Sequence, residues 1–225
     1  MARSAVWTST IGLKVAMAAS GLGMVGFVLF HMAGNLQVFA GRDVFNAYAH
    51  FLQSLGGLLW IARLGLIGMV ALHIWAATKL ALRNYAARPQ GYASLKSRRT
   101  GVYAKTMLYT GIVVLAYIGY HIAHLTLGVA HPEYFNALDE LGRKDVYTNF
   151  VISFSNPIIA GTYVIANVAL AAHLAHATTS VFRSLGLSVG RFKQPLQMVG
   201  PAVGLIVAVG NTSMPIACWL GVLSV

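Results

Sequence analysis

The sequence predicts an all-α integral membrane protein with five transmembrane helices, and three observations support this fold class. The 225 residues are 57% hydrophobic and only 9% charged, with a mean hydropathy of +0.68. Apolar runs recur along the chain, and about 20 consecutive apolar residues span a bilayer core. Histidines lie deep inside four of these runs, where lipid offers no water to the ring nitrogens. This composition excludes a soluble domain.

The five predicted spans belong to one domain that covers residues 1–225. Each span is an apolar run, and the connectors hold most of the charged residues, prolines and asparagines. The spans cover approximately residues 11–36, 55–82, 102–128, 150–182 and 196–220. The fifth span has no histidine, but it contains Pro201 and Pro215, which mark kinks in a membrane helix. We expect the fifth span to pack against the side of a bundle that the other four form.

The distribution of charge predicts the orientation in the membrane. Twelve of the 16 basic residues lie near the start of the first span or around the second and fourth connectors. All five acidic residues lie in the first and third connectors. Because cytoplasmic loops carry the excess of Lys and Arg, the N-terminus is predicted to be cytoplasmic and the C-terminus outside. The net charge of +11 then reflects these loops and not a nucleic-acid partner.

Four histidines, one in each of the first four spans, fall at two matched depths. His31 and His121 lie 17 and 16 residues from a basic residue on the predicted cytoplasmic side, and His73 and His173 each lie 10 residues from one. The basic residues, in that order, are Lys14, Lys105, Arg83 and Arg183. At about 1.5 Å per residue, the depths are roughly 25 Å and 15 Å. Imidazoles that face each other from two helices form a bis-histidine haem site. We call His31 and His121 the outer pair, and His73 and His173 the inner pair. Two haem sites at these depths would form a path for electrons across the bilayer.

Other interpretations of the histidines stay open. A single membrane histidine can simply hydrogen-bond to a backbone carbonyl. A zinc site is disfavoured, because neither depth offers a carboxylate or a thiolate. The single cysteine, Cys218, excludes an internal disulfide and a cysteine-ligated cluster. His124 and His176 follow His121 and His173 by three residues and share their helix faces. They are alternative ligands or contacts of a haem propionate.

Three further polar residues lie near the outer side. Arg63, inside the second span, either extends to the outer surface or pairs with the propionates of an outer haem. His50 and His131 lie in the outer connectors, where we expect them to meet water.

Several short motifs follow one another along the chain in a characteristic order. They are Ser9–Lys14, Phe30–Leu36, Leu72-His73-Ile74, Arg88-Pro89 with Gly91-Tyr92, Thr106-Met107 with Gly111, His121-Ile122-Ala123-His124, and His173-Leu174-Ala175-His176 with Ser180 and Ser184-Leu185-Gly186. Together they resemble the five-helix, dihaem cytochrome b subunit of succinate:quinone oxidoreductases, the respiratory complex II family that includes the anchors of quinol:fumarate reductases. The resemblance covers nearly the whole chain.

The resemblance implies a role for the chain. Such a subunit sits in the bacterial cytoplasmic membrane and anchors a flavoprotein and an iron–sulfur protein on the cytoplasmic side. It holds two haems b, carries no dicarboxylate catalysis of its own, and passes electrons to or from menaquinone or ubiquinone. By this resemblance His73 and His173 ligate the inner haem, and His31 and His121 the outer haem. Arg98 and Arg99 would contribute to the docking surface, although solvated, lipid-facing charge is the alternative there.

The resemblance also places a quinone near the outer haem. Asn35, His50 and Gln53 are the candidates to hydrogen-bond a quinone carbonyl. Some relatives have a carboxylate near the position of Gln53, and some fumarate-reducing relatives have a glutamate where this chain has Ala171. The residues that handle protons therefore differ here from those relatives.

Two other functions compete with this one. The first is the dihaem cytochrome b subunit of another quinone-linked oxidoreductase, such as a nitrate reductase or a hydrogenase. Many of those take both haem pairs from two helices, whereas here each histidine comes from a different helix. The second is a haem-free transporter or structural anchor. Many transporters have inverted repeats and broken helices, which this sequence does not show.

Overall fold

The computed structural model describes residues 9–87 and 102–225, and within these ranges the secondary structure is helical apart from turns and one isolated β-bridge between Leu138 and Lys144. Seven α-helices follow one another: α1 (Thr10–Asn35), α2 (Arg42–Ser54), α3 (Gly57–Ala86), α4 (Val102–His121), α5 (Val146–Ser155), α6 (Pro157–Ser184) and α7 (Lys193–Trp219). Short helical turns cover Leu36–Ala40, Ile122–Thr126 and Gly190–Phe192, and the second of these is a π-helical turn.

Five helical segments are long and apolar enough to cross a membrane. They are Thr10–Ala40, Gly57–Ala86, Thr106–Thr126, Pro157–Ser184 and Gly190–Trp219. The predicted fold class, an all-α multi-pass membrane protein with five spans, is therefore confirmed. The predicted docking residues Arg98 and Arg99 and the motif that begins at Arg88 lie outside the described residues.

The predicted fourth span, residues 150–182, begins too early. The structure divides this region into α5 and α6, which meet at Asn156 and Pro157. Asn156 has extended backbone angles, and its side chain caps α6 by accepting hydrogen bonds from the N–H groups of Ile158 (2.9 Å) and Ile159 (3.4 Å). Proline disfavours a helical residue before it and suits the first turn of the next helix. The apolar run thus contains a helix boundary.

The first connector also contains a helix that the sequence analysis did not predict. Helix α2 follows Gly41, whose φ of +98° is a conformation that favours glycine. Phe45 and Asn46 are its buried residues, and they pack towards α5. The connector is therefore a folded element and not a solvated loop.

A hydrogen-bonded network joins α2 to the start of α5. Asp145 is 2% exposed and accepts hydrogen bonds from Arg42 (2.5 Å), the Asn46 amide (3.0 Å) and the Thr148 N–H (3.1 Å). Burial alone would raise the pKa of Asp145, but these hydrogen bonds outweigh burial and hold the pKa well below its usual range. The fully buried Asn46 also accepts from the Tyr147 N–H at 2.9 Å.

Arg143 extends this network by pairing with Asp43 (2.6 Å) and Asp139 (2.8 Å). The first and third connectors therefore lie together at one end of the bundle, which we call the acidic end. This agrees with the prediction that both connectors lie on one side of the membrane.

Helix α6 is the centre of the bundle. It packs against α1, α4, α5 and, most extensively, α7. Gly200 and Gly204 of α7 lie directly against the backbone of Ala171 and Ala175, so the two helices approach closely. Among the described residues, α3 packs mainly against α1, and α4 mainly against α6, without extensive contact between α3 and α4. The four histidine-bearing helices thus pack in the series α3, α1, α6 and α4, each against the next.

Candidate functional site

The outer pair brings α1 and α4 together. The rings of His31 and His121 have centroids 5.8 Å apart and meet edge to face. Phe27 stacks on the His31 ring at 5.2 Å, and Tyr117 lies 5.7 Å from the His121 ring. The Nδ1 atom of His121 is buried and has no hydrogen-bond partner among the described residues. The pair is therefore close, and one of its buried nitrogens is unsatisfied.

Asn35, a predicted quinone contact, is instead a neighbour of the outer pair. Its amide Nδ2 donates a hydrogen bond to His31 Nε2 at 3.1 Å. An amide N–H can only donate, so His31 Nε2 carries a lone pair. A ligand that takes this lone pair requires the Asn35 amide to move away from it.

The inner histidine on α3 has a defined tautomer. His73 Nδ1 lies 3.2 Å from the carbonyl oxygen of Met17 on α1 and 3.5 Å from Ser20 Oγ. A carbonyl oxygen can only accept, so Nδ1 carries the hydrogen of the neutral ring and Nε2 carries the lone pair. The Ser20 hydroxyl donates to the Ala16 carbonyl at 2.7 Å, so it too can only accept from His73. The neighbouring helix thus fixes the His73 ring by one nitrogen.

The inner histidine on α6 is fixed in the same way from α4. Thr110 Oγ1 lies 3.2 Å from His173 Nδ1, and it donates its own hydrogen to the carbonyls of Thr106 and Met107, both at 3.1 Å. With its hydrogen on a carbonyl, the hydroxyl is an acceptor for His173, and Nδ1 then carries the ring hydrogen. Neither His73 nor His173 has a hydrogen bond to Nε2 within the described part of the chain.

Both inner rings lie against the backbone of a neighbouring helix. A glycine of a facing helix lies beside each ring. A Cβ added at Gly21 would lie 3.3 Å from His73 Cε1, and one added at Gly111 would lie 3.4 Å from His173 Cε1. The absence of side chains there lets each ring lie against its neighbouring helix.

Two features of these histidines resemble those of axial haem ligands: the separation of the outer pair and the hydrogen bonds of the inner pair. At a metal–nitrogen distance of about 2 Å, two imidazoles on opposite sides of one ion have ring centroids about 6 Å apart, close to the separation of the outer pair. Metal-bound histidines usually donate their other N–H to a carbonyl or hydroxyl, as both inner histidines do here. None of the four rings is completely enclosed by the protein. Part of each ring is therefore accessible, and a planar ligand between the helices could cover it.

His124, an alternative ligand, differs from these four. It is fully buried, and both of its ring nitrogens are already hydrogen-bonded: Nδ1 to Tyr163 Oη (2.9 Å) and Nε2 to Ser153 Oγ (3.1 Å). The π-helical turn at Ile122–Thr126 turns its side chain towards α5 and α6, while His121 lies against His31. His124 therefore has a structural role in this arrangement and does not offer a free nitrogen.

The remaining alternative contacts lie apart from the pairs. His176 Nε2 lies 3.2 Å from Ser180 Oγ in its own helix. Arg63 is exposed, and its guanidinium lies 5.1 Å from the centroid of the Trp60 ring. His50 and Gln53 are exposed on α2. Neither side chain has a hydrogen bond to another described residue.

His131 does not simply meet water, as the sequence analysis expected. Its Nε2 lies 3.1 Å from Tyr120 Oη, and its ring lies 4.8 Å from that of His124. The third connector folds back onto α4 and so brings His131 against the bundle. The sequence analysis also missed the partners Ser20 and Thr110. Their signal is a hydroxyl in an apolar span, a residue type that often hydrogen-bonds across membrane helices.

The fold and the site together define a class of protein: a multi-pass helical membrane protein with a histidine in each of four spans, two of which, His31 and His121, are in ring contact. Comparison with known proteins adds no family name, because no family model, curated protein or solved structure matches the chain.

Proposed function

We propose that the chain is the dihaem cytochrome b membrane anchor of a succinate dehydrogenase or fumarate reductase. The observation that carries this proposal is the state of the inner pair. His73 and His173 come from different helices, each is held through Nδ1–H by a facing helix, and each keeps the Nε2 lone pair free. His124, by contrast, uses both of its ring nitrogens in hydrogen bonds within the protein.

Side chains and a backbone carbonyl of this chain would hold the two haems in place. His73 and His173 would ligate one haem b, and His31 and His121 the other. Haem b supplies one-electron redox chemistry when it is bound. The Met17 carbonyl orients the His73 ring by accepting from Nδ1–H and raises the basicity of Nε2. Thr110 does the same for His173.

The proposed partners are a flavoprotein and an iron–sulfur protein. The ends of the helices opposite the acidic end carry basic residues: Lys14, Arg83, Arg183, Arg191 and Lys193. This asymmetry supports an orientation in the bacterial cytoplasmic membrane with the N-terminus inside and the C-terminus outside. The partner subunits would dock on that basic face, the inner pair would lie nearer to them, and menaquinone or ubiquinone would react near the outer pair.

A pyridine haemochrome assay on the purified membrane complex tests the proposal. We expect two haems b per copy of the chain. His73→Ala and His173→Ala should each remove the same spectral component, whereas His31→Ala and His121→Ala should remove the other. His50→Ala, in an exposed histidine, is the control and should retain both haems.

Two results would contradict this assignment. Absence of haem from the purified complex would exclude a cytochrome. Retention of two haems in His121→Ala, together with loss of one in His124→Ala, would move the outer ligand by one turn.

A further inference from the structure

The His121 ring is held by aromatic contacts and not by a hydrogen bond at Nδ1. This atom is buried and has no partner among the described residues, whereas the Nδ1 atoms of His73 and His173 each lie against an oxygen of a neighbouring helix. Two tyrosine rings pack on the imidazole instead, Tyr117 at 5.7 Å and Tyr163 at 5.9 Å between centroids. These two rings also meet each other edge to face at 5.3 Å. The rotation of the His121 ring therefore depends on where the tyrosines lie.

One buried amide contacts both tyrosines. Asn167, on α6, is 3% exposed, and its Nδ2 atom donates to Tyr117 Oη (3.4 Å) and to the backbone carbonyl of Tyr163 (2.9 Å). The first of these hydrogen bonds joins α6 to α4, and the second stays within α6. Because Tyr117 precedes His121 by four residues, it lies one turn away on the same face of α4. The Asn167 amide thus holds the hydroxyl of the ring that packs on His121.

Helix α7 holds this amide in turn. Asn211 Nδ2 donates to Asn167 Oδ1 at 3.0 Å, so the oxygen and both N–H groups of the Asn167 side chain are hydrogen-bonded. Both asparagines lie within segments that are long and apolar enough to span a membrane, where a polar side chain is costly unless it is paired inside the bundle. A series of contacts thus runs from Asn211 through Asn167 and Tyr117 to His121. The span without a histidine therefore reaches the outer pair.

We propose that Asn211, Asn167 and Tyr117 are positioning residues that set the angle of the His121 ring, an inference that rests on the proposed function for the identity of the bound group. The planes of the His31 and His121 rings stand at 89° to each other. Since no hydrogen bond at Nδ1 holds the His121 ring, this angle depends on the position of Tyr117. Groups that orient a metal ligand also tune the metal. Helix α7 thus contributes to the outer haem site and does more than pack against the side of the bundle.

Electron paramagnetic resonance spectra of the oxidised, purified complex test this role. In low-spin ferric haem with two imidazole ligands, the anisotropy of the spectrum is greatest when the ring planes are perpendicular. Any rotation away from 89° therefore shifts the low-field feature of that haem to higher field. We expect this shift for the outer haem, whose signal is the one lost in His31→Ala, in Tyr117→Phe, Asn167→Leu and Asn211→Leu. Two haems should be retained, and the signal of the inner haem should stay in place. Asn211→Gln keeps an amide donor, so its shift should be smaller.

Thr212→Val is the matched control on α7. It removes a hydroxyl that bonds only to the Ala208 carbonyl of the same helix (2.7 Å), so its spectrum should equal that of the original chain. If Asn167→Leu does not fold, Tyr117→Phe and Asn211→Leu decide the question.

The outcomes separate this inference from the proposed function, because haem is counted on the same preparations. An outer signal that stays in place in the variants would overturn the inference even if their unfolding midpoints fall, since a network that merely joins helices would lower the midpoint alone. An equal shift of the inner signal would overturn it too. Two haems with an unmoved outer signal refute this inference alone, whereas absence of haem from the unmutated complex refutes the proposed function and the inference with it.

Discussion

Replacing Thr110 by valine should weaken the binding of one haem and leave the fold intact. The change preserves the shape of the side chain but removes the oxygen that accepts from His173 Nδ1 at 3.2 Å. When His173 ligates through Nε2, its Nδ1–H then lies in the bundle without a partner. An unsatisfied buried donor costs about 1–3 kcal/mol, which corresponds to about 5- to 140-fold in an equilibrium constant. The upper part of this range matches the roughly 10- to 100-fold loss seen when partners of metal ligands are removed.

The assay is a titration of haem retention in the purified complex, followed by optical spectra of the reduced protein. Thr110→Ser should restore binding, since it restores the hydroxyl. Ser20→Ala is a matched contrast on the other side of the inner pair. His73 keeps its 3.2 Å hydrogen bond to the Met17 carbonyl when the more distant Ser20 hydroxyl is removed, so we expect a much smaller effect. Thr162→Val, which removes a hydroxyl bonded only within α6, controls for the substitution itself. Equal haem affinity in Thr110→Val and the unmutated chain would refute the argument from the tautomer.

Three further predictions concern the fold. Asn46→Leu should lower the midpoint of thermal unfolding strongly, because it leaves the Tyr147 N–H unpaired and removes a donor to Asp145. Each buried group left unpaired costs about 1–3 kcal/mol. An unchanged midpoint would show that the hydrogen bonds of Asn46 do not stabilise the fold. The pKa of Asp145 is lower in the folded chain than its unfolded value of about 3.9, so ionised Asp145 stabilises the fold above this pH and the effect is lost as the pH falls below it. The thermal unfolding midpoint of the original chain should therefore decrease when the pH is lowered below about 4, and that of Asp145→Asn should decrease less. Gly200→Ala should disrupt the packing of α6 and α7, because the new Cβ would meet the Ala175 carbonyl, whereas Gly68→Ala, in open space, should be tolerated in the same assay.

The sequence could predict that His31 and His121 lie at one depth for a physical reason. Depth in a membrane helix follows directly from the number of residues, at about 1.5 Å each. The separations of His31 and His121 from their basic neighbours could therefore be compared without a structure, and the structure places their rings 5.8 Å apart. The partners of the rings were harder to predict. Thr110 and Met17 act through the rotation of one helix relative to another, which sequence spacing does not determine.

The missed boundary at Asn156 has a different cause. Hydropathy is continuous from α5 into α6, so the apolar run extends across it. The local signal, Asn before Pro, was present in the sequence and indicates a cap and a helix start.

The separation of His121 from His124 shows how a local irregularity assigns roles. In a regular α-helix, residues three apart lie on one face, so this spacing leaves both histidines as candidates for the outer pair, and the matched depth favours His121. The π-helical turn at Ile122–Thr126 adds a residue to the turn and changes the rotation between them. His121 consequently faces His31, while His124 faces Tyr163 and Ser153. Such turns often occur at functional sites, and here the turn lets one short motif supply both a candidate ligand and the hydrogen-bonded support behind it.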